Sequence, residues 1–415
     1  MKARAWLPAL LAAVLGAGYV MFSPAGNLTP REDDAVYWQM ASNIRDGKGL
    51  QYEGYYSLRP PGYPAFLAAA SWVTNASPLK VRLIQVLLLA LSCLLLYRAG
   101  LLMFEEKTAF AACLIYALSY DAFTMPAQLL SECLFSLFLI LGVYLAALAV
   151  KTPGTARFHA LEGAALGLAC LVRQEAAIVL LALLAFRFFY GRAVLARTAL
   201  IPLLCFTLVI GVWGARNWKV HGKFFIGTTY SYRHLLAANW GVFDRMGYDF
   251  SSIGLNYFEL DNVLGIKDEF KKEEKRKEWT GQMFSMVRPA SLLKAQLIKF
   301  GSFFYPFLPD YDITYMLALP FIFIGLFRNF GRLKELYPLY AVLLMTVAVV
   351  TLFHGVPRYR SSITHVLALF AASGLALTLK RERPVYRAFP AAWAALNVLV
   401  LFYSEPVRLF VKKLL

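Results

Sequence analysis

The segment TPREDDAVYW, residues 29–38, follows the first long apolar run of the chain and contains three acidic residues in a row. The chain as a whole carries a surplus of positive charge. Asp33 and Asp34 can be ordinary helix-start charges, since acids near a helix N-terminus stabilise it by about 0.3–1 kcal/mol. They can also be functional carboxylates. The position of this segment relative to a membrane decides between the two interpretations.

The same segment carries a pattern that is typical of a helix start. Thr29 suits the capping position, Pro30 the first helical position and Glu32 the third. The helical periodicity then continues to Gly47. Because Glu32 already fills the capping role, the pattern leaves the two aspartates free for another function.

The composition of the whole chain indicates a polytopic membrane protein. Of its 415 residues, 59% are hydrophobic and only 16% are charged, whereas soluble domains are about 45–50% apolar and about 25% charged. A net charge of +17 would suggest nucleic-acid binding in a soluble protein. Here the basic residues lie in short loops between apolar runs, so we expect no nucleic-acid partner. The five cysteines lie within apolar runs, which predicts neither disulfides nor a zinc site.

The chain contains eleven apolar runs that we predict to be membrane helices, since a helix needs roughly 20 apolar residues to cross a bilayer. They cover residues 5–22, 81–104, 108–123, 129–150, 161–171, 176–189, 198–215, 313–327, 337–353, 363–379 and 388–403. The two runs beside Arg173 are too short to cross as ideal helices. We therefore predict an all-α polytopic integral membrane protein with about eleven transmembrane helices, in one domain of residues 1–415.

The charges of the loops predict the orientation of these helices. If the N-terminus is cytoplasmic, every inner loop is basic, from Arg98 in the first to Arg387 in the last, as the positive-inside rule requires. The first outer loop is then 23–80, the large second outer loop is 216–312, and a late outer turn covers 354–359. The acidic segment therefore lies on the outer face.

The motif RPPGYP, residues 59–64, also lies in the first outer loop. Two prolines and a glycine predict a rigid turn that returns the chain to the membrane. Arg59 begins this turn, and a guanidinium group pairs well with phosphate oxygens. Arg59 is either a headgroup anchor or a ligand for the phosphate of a lipid-linked sugar.

Four ionisable residues lie near the outer ends of apolar runs. They are Glu132 in LLSECLF, Arg173 and Glu175 in LACLVRQEAAIVL, and Arg216 in WGARNWKVHG. Charges among membrane helices are costly and usually face a cavity or a partner. These residues can line a cavity, or they can form structural ion pairs such as Arg173 with Glu175 or with Glu132.

The late outer turn, HGVPRYRSSI, contains Arg358 and Arg360 on either side of Tyr359. Two arginines on an outer turn run against the positive-inside tendency, which favours a phosphate partner. Tyr359 can donate a hydrogen bond to the same phosphate. His354 is either part of this cavity or an interfacial residue, since no metal-ligand partner lies at a useful spacing.

The order of these motifs resembles the GT-C superfamily of multi-spanning glycosyltransferases, and in particular the bacterial branch related to protein O-mannosyltransferases and lipid A aminoarabinose transferases. The resemblance rests on EDDAVYWQMASNIRDGKGL, RPPGYPAFLA, LLSECLF, EGAALGLACLVRQEA, RNWKVHGKF and HGVPRYRSSITHVLALFAASGL. It implies a polyprenyl-phosphate-linked sugar donor, and an acceptor that is a lipid, a glycan or a protein. It also implies a bacterial inner (cytoplasmic) membrane location, with the active site facing the periplasm or the exterior.

The resemblance also implies roles for individual residues. Asp33 matches the acid that activates or positions the acceptor, and Asp34 matches the acid that often follows it. Arg59 matches the basic residue linked to the donor phosphate, and Arg358 and Tyr359 match the arginine–tyrosine pair of the late turn. Two adjacent acids could also hold a divalent cation, although no further oxygen-ligand pattern accompanies them.

These expectations combine into one mechanism, a single inverting displacement at the anomeric carbon. Asp33 or Asp34 activates the acceptor, while Arg59, with Arg358 or Arg360, stabilises the departing lipid phosphate. A transporter or flippase of lipid-linked sugars is the alternative, and it predicts paired halves with broken helices near the midplane. The sequence shows no such internal symmetry. The enzyme interpretation predicts that Asp33, Arg59, Glu132 and Arg358 line one outer cavity.

Overall fold

The computed structural model describes residues 5–27, 29–190, 196–306, 312–353, 355–380, 383–403 and 405. Within these ranges the chain is helical, with one isolated bridge between Tyr52 and Tyr55 and no β-strand. The predicted all-α class is therefore confirmed.

The helices follow one another with short connections in most of the chain. They are α1 Trp6–Phe22, α2 Pro24–Asn27, α3 Asp33–Arg45, α4 Gly62–Val73, α5 Pro78–Met103, α6 Glu106–Leu118, α7 Tyr120–Phe123, α8 Glu132–Lys151, α9 Ala156–Val172, α10 Ala176–Tyr190, α11 Ile201–His221, α12 Ser231–Arg245, α13 Glu259–Asn262, α14 Glu269–Met286, α15 Pro289–Phe304, α16 Ile313–Asn329, α17 Leu333–Leu352, α18 Thr364–Leu379 and α19 Val385–Phe402. Each of the eleven predicted apolar runs overlaps one of these helices.

The length and composition of these helices confirm a multi-pass membrane protein. Among the described residues, five stretches are long and apolar enough to cross a bilayer: Pro78–Met103, Glu132–Lys151, Thr198–His221, Ile313–Leu352 and Pro357–Leu379. Helix α6 and the segment Tyr120–Ala127 form a sixth candidate that is bent by 63°. Helices α1, α10 and α19 are apolar but shorter. The predicted number of eleven spans is not confirmed.

Helices α5 and α8 lie at the centre of the membrane core and pack against each other and against α1, α6 and α9. Helix α5 begins at a capped end, where Ser77 Oγ accepts a hydrogen bond from Lys80 N and Pro78 occupies the first turn. Buried aromatic side chains such as Tyr116 and Phe135 fill the space between these helices. This core holds the N-terminal end of α8, where Glu132 lies.

Helices α12–α15 lie in the predicted second outer loop, so we term them the outer cap, and they have an apolar core of their own. Phe243, Phe250 and Trp279 are among its buried side chains. Two hydrogen bonds join the cap to the outer end of α17: Asn239 Nδ2 donates to the carbonyl of Leu352 at 3.0 Å, and Lys299 Nζ donates to that of Thr351 at 3.1 Å. The cap therefore lies beside the C-terminal end of α17.

The start of α3 differs from the prediction. The helix begins at Asp33, and Glu32 precedes it with φ 51° and ψ −124°, without a capping hydrogen bond from its side chain. This backbone conformation interrupts the helix, so the predicted start with Thr29, Pro30 and Glu32 is wrong. The helix ends at Arg45 because the chain turns into the left-handed region at Gly47, where φ is 74°.

Candidate functional site

A cavity of about 340 Å³ opens between the first outer loop, the break between α9 and α10, the outer cap and the late outer turn. Six residues that the sequence indicated line it: Asp33, Arg59, Arg173, Glu175, Arg358 and Tyr359. Residues that are far apart in the chain, from Asp33 to Tyr359, thus converge on one space. Three of the four residues named for the outer cavity line it directly, and Glu132 lies behind its wall, bonded to Arg358.

Asp33 lies between two arginines. Its Oδ1 accepts a hydrogen bond from Arg59 Nη2 at 3.0 Å, and its Oδ2 lies 3.4 Å from Arg358 Nη2. The side chains of Asp33 and Arg358 remain 41% and 39% exposed.

A chain of alternating charges extends inward from Arg358. Glu132 Oε1 accepts a hydrogen bond from Arg358 Nε at 2.9 Å and pairs with Arg173 Nη1 at 3.1 Å. Arg173 Nε in turn donates to Glu175 Oε1. Glu132 is only 2% exposed, and a buried carboxylate is stable only when it is paired. Glu132 therefore holds Arg173 and Arg358 in fixed positions at the cavity wall.

Two aromatic rings and a histidine surround Arg59. Its guanidinium carbon lies 5.7 Å from the ring centres of Tyr37 and Tyr230. Its Nη1 lies 2.6 Å from His234 Nε2, and His234 lines the cavity. The sequence interpretation missed His234, because a single histidine within SYRHLLAANW belongs to no motif.

Asp34 has a different environment from Asp33. Its Oδ2 accepts a hydrogen bond from the backbone N–H of Leu129 at 3.1 Å. Burial raises the pKa of Asp34, while this hydrogen bond and the positive charges of Arg82 and Arg358 act in the opposite direction. Asp34 thus joins α3 to the turn before α8, which starts at Glu132, three residues after the predicted start. It does not line the cavity.

Arg360 lies away from the cavity. It is 2% exposed, with Nε donating to Asp121 Oδ2 at 2.7 Å and Nη2 to Asp312 Oδ2 at 3.3 Å. Residues 357–363 form a 3₁₀-helix, in which successive residues turn by about 120°, so side chains two residues apart point in different directions. Arg358 and Arg360 therefore do not share a phosphate-facing surface as the sequence predicted.

Arg216 also lies outside the cavity. Its Nη1 donates to the carbonyl of Tyr56 at 2.7 Å and its Nη2 to that of Leu50 at 2.9 Å. It supports the backbone of the first outer loop just before Arg59. The remaining predicted residue, His354, is outside the described residues.

The comparisons with known proteins agree with this architecture. The sequence profile of the dolichyl-phosphate-mannose-protein mannosyltransferase family matches residues 58–213. No curated protein matched the sequence. The structure is similar to the archaeal oligosaccharyltransferase AglB from Archaeoglobus fulgidus in complex with an inhibitory peptide and a dolichol-phosphate, with a TM-score of 0.57, 16% identity, and coverage of 97% of this chain and 55% of that one.

Two further solved structures extend this comparison. The apo form of the same archaeal oligosaccharyltransferase gives a TM-score of 0.59 at 17% identity, over 97% of this chain and 55% of that one. ArnT from Cupriavidus metallidurans, bound to undecaprenyl phosphate, gives a TM-score of 0.43 at 13% identity, over 92% of this chain and 82% of that one. The chain thus spans about half the length of the archaeal enzyme. The fold is that of the GT-C glycosyltransferases, and the resemblance to this superfamily is confirmed.

The two aspartates do not fit a shared divalent cation. A structure of the archaeal oligosaccharyltransferase contains zinc and sulfate. In the part of this chain that the structure describes, no group of three or more His, Cys, Asp or Glu residues could hold a metal ion. Asp33 faces two arginines, whereas Asp34 accepts from the Leu129 backbone. The two carboxylates therefore have separate partners.

Proposed function

We propose that this protein is a membrane glycosyltransferase. It transfers a hexosyl or pentosyl group from a polyprenyl-phosphate donor to an acceptor on the outer face of the bacterial inner membrane. The observation that carries this proposal is the exposed carboxylate of Asp33, held between Arg59 and Arg358 at the cavity wall. The GT-C fold and the similar structure with bound dolichol-phosphate support it.

The two arginines suit the phosphate of the donor. Guanidinium groups bind phosphate oxygens with paired hydrogen bonds. Apolar side chains at the outer end of α17, such as Leu352 and Phe353, line the same cavity and suit the first prenyl units. The cavity volume of about 340 Å³ is at the small end for ligand pockets.

The contacts of Asp33 suggest how donor binding prepares the reaction. A phosphate that binds to Arg59 and Arg358 competes with Asp33 for the same N–H groups. Because both side chains of the Asp33–Arg358 pair are exposed to water, exchanging this pair for a contact with phosphate costs little free energy. The Asp33 carboxylate is then free to accept a hydrogen bond from the hydroxyl or amine of the acceptor.

The reaction is a single displacement. Asp33 takes the proton of the acceptor group as that group attacks the anomeric carbon. The bond between the anomeric carbon and the phosphate oxygen breaks, and its electron pair leaves with the polyprenyl phosphate. Arg59 and Arg358 stabilise the charge that develops on this leaving group. Attack from the face opposite the leaving group inverts the anomeric configuration.

The substitution Asp33→Asn tests this function. It removes the proton acceptor while preserving size, so we expect transfer to fall by about 10²–10⁴-fold with membrane insertion unchanged. The measurement is consumption of a panel of polyprenyl-phosphate sugars by purified protein in nanodiscs. Asp46→Asn, at the exposed C-terminal end of the same helix, is the matched control and should retain activity. Wild-type transfer rates in Asp33→Asn would contradict the proposal.

A further inference from the structure

The contact between Arg59 and His234 defines the protonation state of the histidine. A guanidinium group has only donors, so at 2.6 Å from Arg59 Nη1 the Nε2 atom of His234 must be the acceptor. The imidazole is therefore neutral, with its proton on Nδ1. A protonated His234 could not accept this hydrogen bond and would place two cations against each other.

His234 also connects two separate parts of the outer face. It lies one turn into α12 of the outer cap, whereas Arg59 belongs to the first outer loop. The ring of Tyr230 packs edge-on against His234, with ring centres 5.3 Å apart, and also lies beside Arg59. Arg59 uses its other terminal nitrogen, Nη2, for Asp33. The orientation of Arg59 in the cavity thus depends on one acceptor from the cap and one from α3.

We propose that His234 is a positioning residue for the donor phosphate. By accepting from Nη1, the neutral imidazole holds Arg59 in the orientation that presents its second nitrogen to the phosphate and to Asp33. The same contact fixes the cap against the first outer loop. Loss of the contact, by substitution or by protonation, weakens donor binding rather than the chemical step. This inference rests on the proposed function for the identity of the donor.

Protonation makes donor binding depend on pH. Histidine is the side chain that ordinarily changes charge between about pH 5 and about pH 8. The charged and titratable groups on the elements around His234 include Asp33, Arg59, Tyr230, Arg233, Asp261, Glu273, Arg276 and Arg358. Positive charge on His234 repels Arg59, so KM for the donor should rise as the pH falls.

Two substitutions of His234 distinguish the effect of its hydrogen bond on donor binding from the effect of its protonation. In His234→Ala the acceptor is lost, and we expect KM for the donor to rise about tenfold, with kcat changed by less than about threefold. In His234→Gln the amide oxygen can accept from Arg59 but does not titrate. This variant should keep KM close to the wild-type value at pH 7.5 and lose its rise at low pH. Arg245→Gln, at the exposed end of α12, is the control.

A second measurement does not require the reaction. Hydrogen exchange of the α12 amides in the full-length protein should be faster in His234→Ala and unchanged in His234→Gln, because the contact restrains the helix. An unchanged KM in His234→Ala, or a wild-type pH profile in His234→Gln, would show the inference to be wrong. Absence of transfer by the wild type, together with faster exchange in His234→Ala, would instead contradict the proposed function and leave the contact supported.

Discussion

At the scale of single residues, two carboxylates in the charge cluster behave differently because their burial differs. Glu132 is 2% exposed and pairs with Arg173 and Arg358, so losing either partner would leave a buried charge. Asp33 is 41% exposed, and ion pairs that face water contribute only about 0–1 kcal/mol. Glu132 therefore acts as a permanent support, whereas Asp33 can exchange its partners for a substrate.

Asp34 gives a pH-dependent prediction at the same scale. Its pKa is raised by burial, so the folded state binds this proton more strongly than the unfolded state. Its contribution to stability is therefore present at low pH and is lost as the pH rises through the folded-state pKa. Asp34→Asn has no such proton. We expect the wild-type Tm to rise relative to that of Asp34→Asn as the pH falls through the raised pKa towards about 3.9, the ordinary pKa of aspartate, measured by differential scanning fluorimetry. A difference in Tm between the two proteins that does not change with pH would contradict a raised pKa of Asp34.

At the scale of elements, glycines set the distance between α16 and α18. A Cβ atom on Gly325 would lie 1.9 Å from the carbonyl oxygen of Phe370, and one on Gly374 would lie 2.0 Å from that of Phe321. The two backbones are therefore in direct contact, as small residues permit between membrane helices. Because α18 begins directly after the turn that carries Arg358, this contact also sets the position of that arginine.

We therefore predict that Gly325→Ala destabilises the protein. Overpacking of this kind lowers the free energy of unfolding by about 1–3 kcal/mol or more. The added methyl group should also separate α16 from α18 and thereby reduce the rate of sugar transfer. Gly211→Ala is the matched control in α11, where no atom lies within 4 Å of the added methyl group. It should change the free energy of unfolding by no more than about 1 kcal/mol. Thermal unfolding in nanodiscs measures both variants. Equal stabilities of the two variants would exclude the proposed close packing.

At the scale of the whole molecule, orientation in the membrane is the property to test. The proposed topology places the first and second outer loops on the same outer face and the connection between α16 and α17 on the cytoplasmic face. A membrane-impermeant maleimide should therefore label Glu53→Cys and Lys267→Cys in intact spheroplasts. It should label Glu335→Cys only after permeabilisation. Among the described residues the native cysteines are buried or partly buried, so their background labelling should be low. The reverse labelling pattern would overturn the topology.

Much of the architecture could be predicted because it depends on local sequence. Every predicted apolar run overlaps a helix, and the break at Arg173 lies between α9 and α10. The starts of two helices differ from the prediction. The backbone conformation of Glu32 moves the start of α3 to Asp33, and the bond from Leu129 to Asp34 delays α8 until Glu132. The second shift comes from a hydrogen bond between residues that are 95 positions apart, which no local pattern contains.

The sequence by itself determined the class of protein and the likeness to GT-C enzymes, because apolar runs and motif order are properties of short segments. Only the tertiary structure decided which charges meet. It brings Asp33 into contact with Arg358, which lies far away in the sequence, and places His234 beside Arg59. It directs Arg360 away from the cavity, towards Asp121 and Asp312. The physical reason is that the rotation and height of each helix depend on packing against its neighbours. A shift of one residue on a helix turns its side chain by about 100° and moves a charge into or out of the cavity.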